Sequence, residues 1–296
     1  MTGPIETPVV FSCGTESLLG IVHQSHSPCD LGVLTVVAGG PQYRAGVGRG
    51  LVSLGRELSA RGVHVMRFDH RGLGDSSGEF LGFEHLAEDI QAAIYAFQRQ
   101  VPELKRVVLW GGCDAASGIM IHACKLPEVV SVVVGNPFVS SEVTQAAVTR
   151  RHYFKRLGEW SFWRKVLSFE YDFGAYFASG LSKLGFNKTP AAEALPVSSK
   201  TPPIKRSKHF IDKMLYGLEQ FNGSVLFLMS GQSLVSKEFD ELVARAPAWE
   251  KAYGRRGNKR VDLPDADQAF SSQDSKAKVN EAILQWVEEL ATTRDS

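Results

Sequence analysis

The chain has 296 residues, enough for one large α/β domain with an insertion or for two small domains. Its hydrophobic share of 44% is that of an ordinary globular protein, and a net charge of +1 gives no global bias toward nucleic acid or acidic partners. No apolar run approaches the roughly 18 residues of a membrane span, and the N-terminus lacks the basic start and apolar core of a signal peptide.

In chain order, residues 9–12 and 18–23 flank a Gly-Thr turn and are expected to form a β-hairpin. A buried strand over 32–38 runs into Gly39-Gly40-Pro41-Gln42-Tyr43-Arg44. A helical stretch carrying Leu51, Leu54 and Leu58 leads to a strand over 63–68, which ends in the glycine-rich turn from Asp69 to Ser76. Residues 83–101 are amphipathic, with Leu86, Ile90, Ala93, Ile94 and Phe97 on one face. A short apolar run from Arg106 to Trp110 precedes a cluster of small residues, and a further strand over 129–134 ends at Asn136-Pro137.

From 138 to 214 the rhythm breaks into aromatic-basic stretches and a Pro/Ser/Lys-rich loop, which reads as an inserted cap over a core made of 1–137 and 215–296. A strand is expected over 224–229, a helix over 238–253, a last strand over 259–263 and a closing helix over 279–290. Strands alternating with helices predict a mainly parallel sheet covered on both faces, with the site at the carboxyl ends of its strands.

The chemistry centres on Gly111-Gly112-Cys113-Asp114-Ala115. A buried strand that turns sharply into a helix through small residues is a nucleophile elbow, written G-x-S-x-G, and here the residue at its tip is Cys113. Read one residue later, the tip is Asp114. The apolar run stops at Trp110, directly before Gly111, which favours Cys113.

With the elbow, the Asp69-x-Arg71-Gly72-x-Gly74-x-Ser76 turn and the insertion, the chain resembles α/β-hydrolases. More narrowly, it resembles the exosortase A system-associated hydrolase 1 family. That likeness rests on Gly39-Gly-Pro-Gln-Tyr-Arg44, Leu109-Trp-Gly-Gly-Cys-Asp-Ala-Ala-Ser117, Asn136-Pro-Phe-Val-Ser-Ser141, His152-Tyr-Phe, Phe162-Trp-Arg-Lys165 and Asp265-Ala-Asp-Gln-Ala-Phe-Ser271. The resemblance implies the α/β-hydrolase fold, an eight-stranded mainly parallel sheet with helices on both faces. It also implies a setting in bacterial envelope glycan export.

The chain departs from that pattern at two places. Triad order in this fold is nucleophile, acid, histidine. Where the family pattern suggests an aspartate after Ser-Gly-x, this chain has Ser233; where it reads Asp-His-x-Phe-Ser, this chain has Gln268. The last histidine in the sequence is His209, so no small shift in alignment restores the base. Gln268 hydrogen-bonds but cannot accept a proton, and Ser233 cannot stabilise an imidazolium. A cysteine depends less on such partners, because part of it is thiolate near neutral pH and a helix N-terminus lowers its pKa.

The candidate catalytic set is therefore Cys113, Gln268 and Ser233. The expected oxyanion donors are the backbone N–H groups of Gly40 and Asp114, and Gln42, Tyr43 and His152 are expected to meet the substrate. His70, His85 and His122, the turn residues Asp69 and Arg71, and Ser117 read as structural. Asp265 and Asp267, beside Gln268, read as loop carboxylates.

Three functions stay open: an ester or thioester hydrolase or acyltransferase, an inactive ligand-binding homologue, and a lyase, isomerase or cyclase on the same fold. The expected partner is a small acyl or glycan-related molecule, with no nucleic acid and no membrane segment. No P-loop, dinucleotide fingerprint or metal cluster is visible, so no cofactor is expected. Cys13, Cys29, Cys113 and Cys124 form no CxxC pair and read as reduced thiols, which places the protein in the cytoplasm.

Overall fold

Eight strands make one sheet in the order β1-β2-β4-β3-β5-β6-β7-β8. The computed structural model describes residues 5–37, 42–139 and 209–292. β1 (Ile5–Cys13) and β2 (Glu16–Gln24) form the expected hairpin, closing at Cys13 opposite Glu16. β2 also runs antiparallel to β4 (His64–Phe68). Every other pairing is parallel, through β3 (Leu31–Thr35), β5 (Arg106–Gly112), β6 (Val129–Gly135), β7 (Ser224–Ser230) and β8 (Lys259–Leu263).

Both faces of the central strands are buried, which is why they read as continuous apolar runs. Alternate side chains enter different cores, as the two-residue strand period requires. Leu34, Val107 and Leu109 join Ile90, Phe97 and Met214 on one side. Val33, Val108 and Trp110 join Leu54, Leu58, Ile283 and Trp286 on the other. The first core is covered by α2 (Ala87–Gln100), α3 (Asp114–His122) and α4 (Phe210–Gln220), and the second by α1 (Gly50–Ala60) and α7 (Gln273–Thr292).

Two helices differ from expectation. The single helix expected over 238–253 is two, α5 (Leu234–Arg245) and α6 (Pro247–Tyr253). The residue before a proline is driven out of the helical region, and Ala246 is extended at φ −113°, ψ 107°. The closing helix starts at Gln273 rather than 279, and its first turn is polar, so the apolar period begins only at Val279. α4 crosses the expected cap boundary at 214, with Phe210 and Met214 buried in the first core. The remainder of the expected cap, residues 140–208, lies outside the described residues, and so do Gly39, Gly40, Pro41 and His152. Among the described residues no helix is long and apolar enough to cross a membrane.

Parallel register brings the carboxyl ends of the later strands side by side. Gly112 pairs with Gly135, Gly135 with Leu228, and Ser230 with Leu263. The loops that follow β5, β6, β7 and β8 therefore meet at one edge.

Candidate active site

Cys113 sits between β5 and α3 at φ 56°, ψ −121°, and Asp114 is the first residue of the helix. Positive φ is costly for a residue with a side chain, and such strain persists only where the surroundings over-determine it. Here the Cys113 N–H donates to Gly135 O at 2.8 Å, extending the β5–β6 ladder into the turn. The helix then folds back against the strand. A Cβ on Gly111 would lie 2.8 Å from the Ile119 side chain and 3.0 Å from Ala115 Cβ, so only glycine fits there. Ser117 braces the far side, its hydroxyl donating to Phe138 O at 2.7 Å.

Gln268 reaches the cysteine. Its Nε2 donates to Cys113 Sγ at 3.3 Å, across 155 residues of sequence. The loop carrying it is pinned from three directions. The buried Asn136, itself at φ 47°, donates from Nδ2 to Gln268 O at 2.9 Å and accepts from Ser230 N–H at 2.8 Å, tying the ends of β6 and β7 to this loop. Asp267 accepts from Ser271 N–H at 2.8 Å and from the Ser271 hydroxyl, and these bonds hold its carboxyl below the usual range. Phe270 is buried at φ 50° with its ring against Trp110, 6.4 Å between centroids.

Ser233 does not join this pair. It is buried as the N-cap of α5, its Oγ accepting from Ser236 N–H at 3.3 Å. The loop after β7, Gly231-Gln232-Ser233, carries no acid.

A cavity of about 270 Å³ opens beside Cys113. Asp114, Gln268 and Gln42 line it at the sheet edge, and α1 and α7 supply its other wall. Tyr43 is not in the lining; 47% exposed, it lies with the Arg44 guanidinium 6.0 Å from its ring. Of the expected oxyanion donors, Asp114 borders the cavity next to Cys113, while Gly40 falls outside the described residues.

No described histidine lines the cavity. His70 is fully buried, packed edge-on to the Phe68 ring at 4.6 Å, with neither ring nitrogen hydrogen-bonded among the described residues. Burial pushes it down to about 4. His122 is likewise buried and held near 4, first by desolvation and then by Lys125.

The Asp69–Ser76 turn is structural, as its composition suggested. Asp69 accepts from the backbone N–H of Arg44 at 2.6 Å and of Asp75 at 3.1 Å, and pairs with the Arg44 guanidinium. Gly74, at φ 54°, passes so close that a Cβ would overlap the Asp69 carboxylate. Arg71 forks onto Asp89 of α2, at 3.1 and 2.8 Å. Among the described residues no group of three His, Cys, Asp or Glu could hold a metal ion.

The sequence places Asn136-Pro137 at a strand end expected to converge with the elbow, but assigns Asn136 no role there. An asparagine directly after a buried strand was the available signal, since asparagine tolerates positive φ and its amide bonds in two directions. Lys276 and Asn280 of α7 also line the cavity; Lys276 precedes the helix as read from 279, and Asn280 lies inside it with no local signal to set it apart.

Comparison with known proteins agrees with this architecture. A family model described as serine aminopeptidase, S33, matches residues 48–167, a stretch that includes the elbow. The chain is similar in structure to an esterase from Pyrococcus furiosus at 16% identity and TM-score 0.61, covering 97% of this chain and 91% of that one. It is similar also to the α/β-hydrolase GrgF from Penicillium sp. sh18, at 14% identity and TM-score 0.61 over 97% and 99% of the two chains. The dienelactone hydrolase from Anabaena variabilis matches at 13% identity and TM-score 0.60, again over 97% and 99%. No curated protein matches the sequence.

Proposed function

Since the chain has the α/β-hydrolase fold, we propose that it is an acyl-transfer enzyme in which Cys113 attacks an ester or thioester. The observation that carries this reading is the 3.3 Å bond from Gln268 Nε2 to Cys113 Sγ at the tip of a strained elbow that borders a cavity. A hydrogen bond donated to sulfur favours the thiolate, as does a position at a helix N-terminus.

In the first half-reaction the Cys113 thiolate forms a C–S bond to the substrate carbonyl carbon. The bond from that carbon to the leaving group breaks, and the leaving anion takes a proton from water. No described histidine lines the cavity to protonate the leaving group, so a thiolate, the more stable anion, leaves faster than an alkoxide. Thioesters are therefore the preferred substrates. In the second half-reaction water must lose a proton as it attacks, and Gln268 cannot take it. A missing base is worth about 10²–10⁴ in rate. Hydrolysis is slow, and an acceptor that is nucleophilic unaided, a thiol or an amine, completes the transfer. On the narrower resemblance to the exosortase A system-associated hydrolase 1 family, we place this chemistry in envelope glycan export.

A second reading, a protein that binds its ligand without turnover, draws on Ser233, whose commitment to capping α5 leaves the acid position empty of an acid. One experiment separates the two: intact-mass analysis after exposure to activated acyl thioesters, with the pH dependence of iodoacetamide alkylation. Acyl transfer is expected to give one acyl adduct, absent in Cys113→Ala, and an alkylation pKa below the free-thiol value of about 8.5. No adduct and an unshifted alkylation profile would leave the binding protein.

A further inference from the structure

Cys113 is not the only chemically informative group on the cavity. Of the described residues that line it, two are charged: Asp114, beside the cysteine, and Lys276, on α7. The rest of the lining is mostly apolar, with Leu51, Leu54, Trp110, Phe270 and Val279 among its residues. Lys276 is half-buried. Its Nζ donates to Gly48 O at 3.0 Å, and no carboxylate of the described residues lies within 4 Å of it. Lys276 lines the cavity while its ammonium rests on Gly48, which is not in the lining; an ammonium with one carbonyl partner keeps two donors for a ligand, and a carboxylate that reaches it gains a charge-assisted bond.

One turn further along α7, the buried Asn280 also borders the cavity, and its Nδ2 donates to Glu57 Oε2 at 2.6 Å. Glu57 itself does not line the cavity. It faces an outer groove that Lys276 shares with Arg49 and Arg56. Asn280 thereby holds the Glu57 carboxylate, and Lys276 stands where the cavity meets that groove.

We infer that the cavity takes an acyl group ending in a carboxylate, with the reacting carbonyl at Cys113 and the distal carboxylate on Lys276. This rests on the acyl-transfer reading above and names its substrate class. Charge sets the orientation, because Asp114 repels the distal carboxylate from the cysteine wall and Lys276 attracts it to the opposite one. The apolar lining between the two ends suits the methylenes of a short dicarboxylic acyl group such as glutaryl or adipyl.

The test uses two N-acetylcysteamine thioesters of the same five-carbon length, glutaryl and pentanoyl, and follows Cys113 acylation by intact mass. Wild type is expected to acylate about tenfold faster with the glutaryl thioester, the scale of one hydrogen bond to a charged group. Lys276→Gln is expected to abolish the preference and Lys276→Arg to restore it. Equal rates in wild type, or a preference that survives in Lys276→Gln, would overturn the inference.

A second readout needs no acylation: protection of Cys113 from iodoacetamide by free glutarate and free pentanoate. Protection by glutarate alone, lost in Lys276→Gln, supports the Lys276 site. Protection that is equal for the two anions, unchanged in the variant, or missing for both overturns it. If neither thioester acylates Cys113 while glutarate protects, acyl transfer fails and the anion site stands.

Discussion

In the proposed acyl transfer, Gln268 is the residue that limits the second half-reaction. It stands 3.3 Å from Cys113 Sγ, where a base would need to be, and holds only amide hydrogens toward the sulfur. Gln268→His should therefore place an imidazole within reach of a water at the acyl-cysteine. The expected outcome is faster loss of the acyl adduct, by about tenfold or more, within the range of general-base effects. The time course of adduct decay by mass spectrometry checks this, and decay no faster than wild type would mean that the loop does not present an imidazole to the acyl group. Cys113 was legible in the sequence because an elbow leaves a local signature, whereas Gln268 was singled out by the family resemblance. The support of Gln268 was not legible. Asn136 binds Gln268 O and Ser230 N–H across more than 90 residues of chain in each case, and no spacing rule reports such a bond.

At the scale of elements, the loop after β7 shows the same limit. Ser233 aligns with an acid position, yet its hydroxyl accepts from Ser236 N–H and starts α5. Removing a serine N-cap costs about 1 kcal/mol. Ser233→Ala is expected to lower stability by about that amount in urea unfolding while leaving the rate of Cys113 acylation unchanged; a loss of acylation at full stability would return Ser233 to the catalytic set. The cap does leave a local signal, since serine before an amphipathic run is a helix start. The break between α5 and α6 was readable too. Pro247 opens a helix and disfavours helical geometry at Ala246, although the apolar periodicity continues through both helices and masks it.

For the whole molecule, two stacked cores leave several histidines in dry surroundings. Burial holds His70 near 4 in the folded chain against 6.5 when solvated, and His23 is held near 4 by burial and then by Arg67. Between those values the unfolded chain binds more protons than the folded one, so stability falls as pH drops from about 6.5 toward 4 and is fully present above it. The urea midpoint is expected to be lower at pH 5 than at pH 7.5, and His70→Leu to make that decline shallower. An unchanged slope would show that His70 takes up its proton in the folded chain as readily as in the unfolded one. What the sequence determined alone was the architecture: strand period, helix period and turn residues are local properties, and they suffice for an alternating α/β chain with a sharp turn at Cys113. Only the tertiary structure decided what surrounds that cysteine. Gln268, Asn136 and Lys276 come from loops and a helix far apart in sequence, and they meet because parallel register stacks the strand ends at one edge, which is a property of the sheet and not of any segment in it.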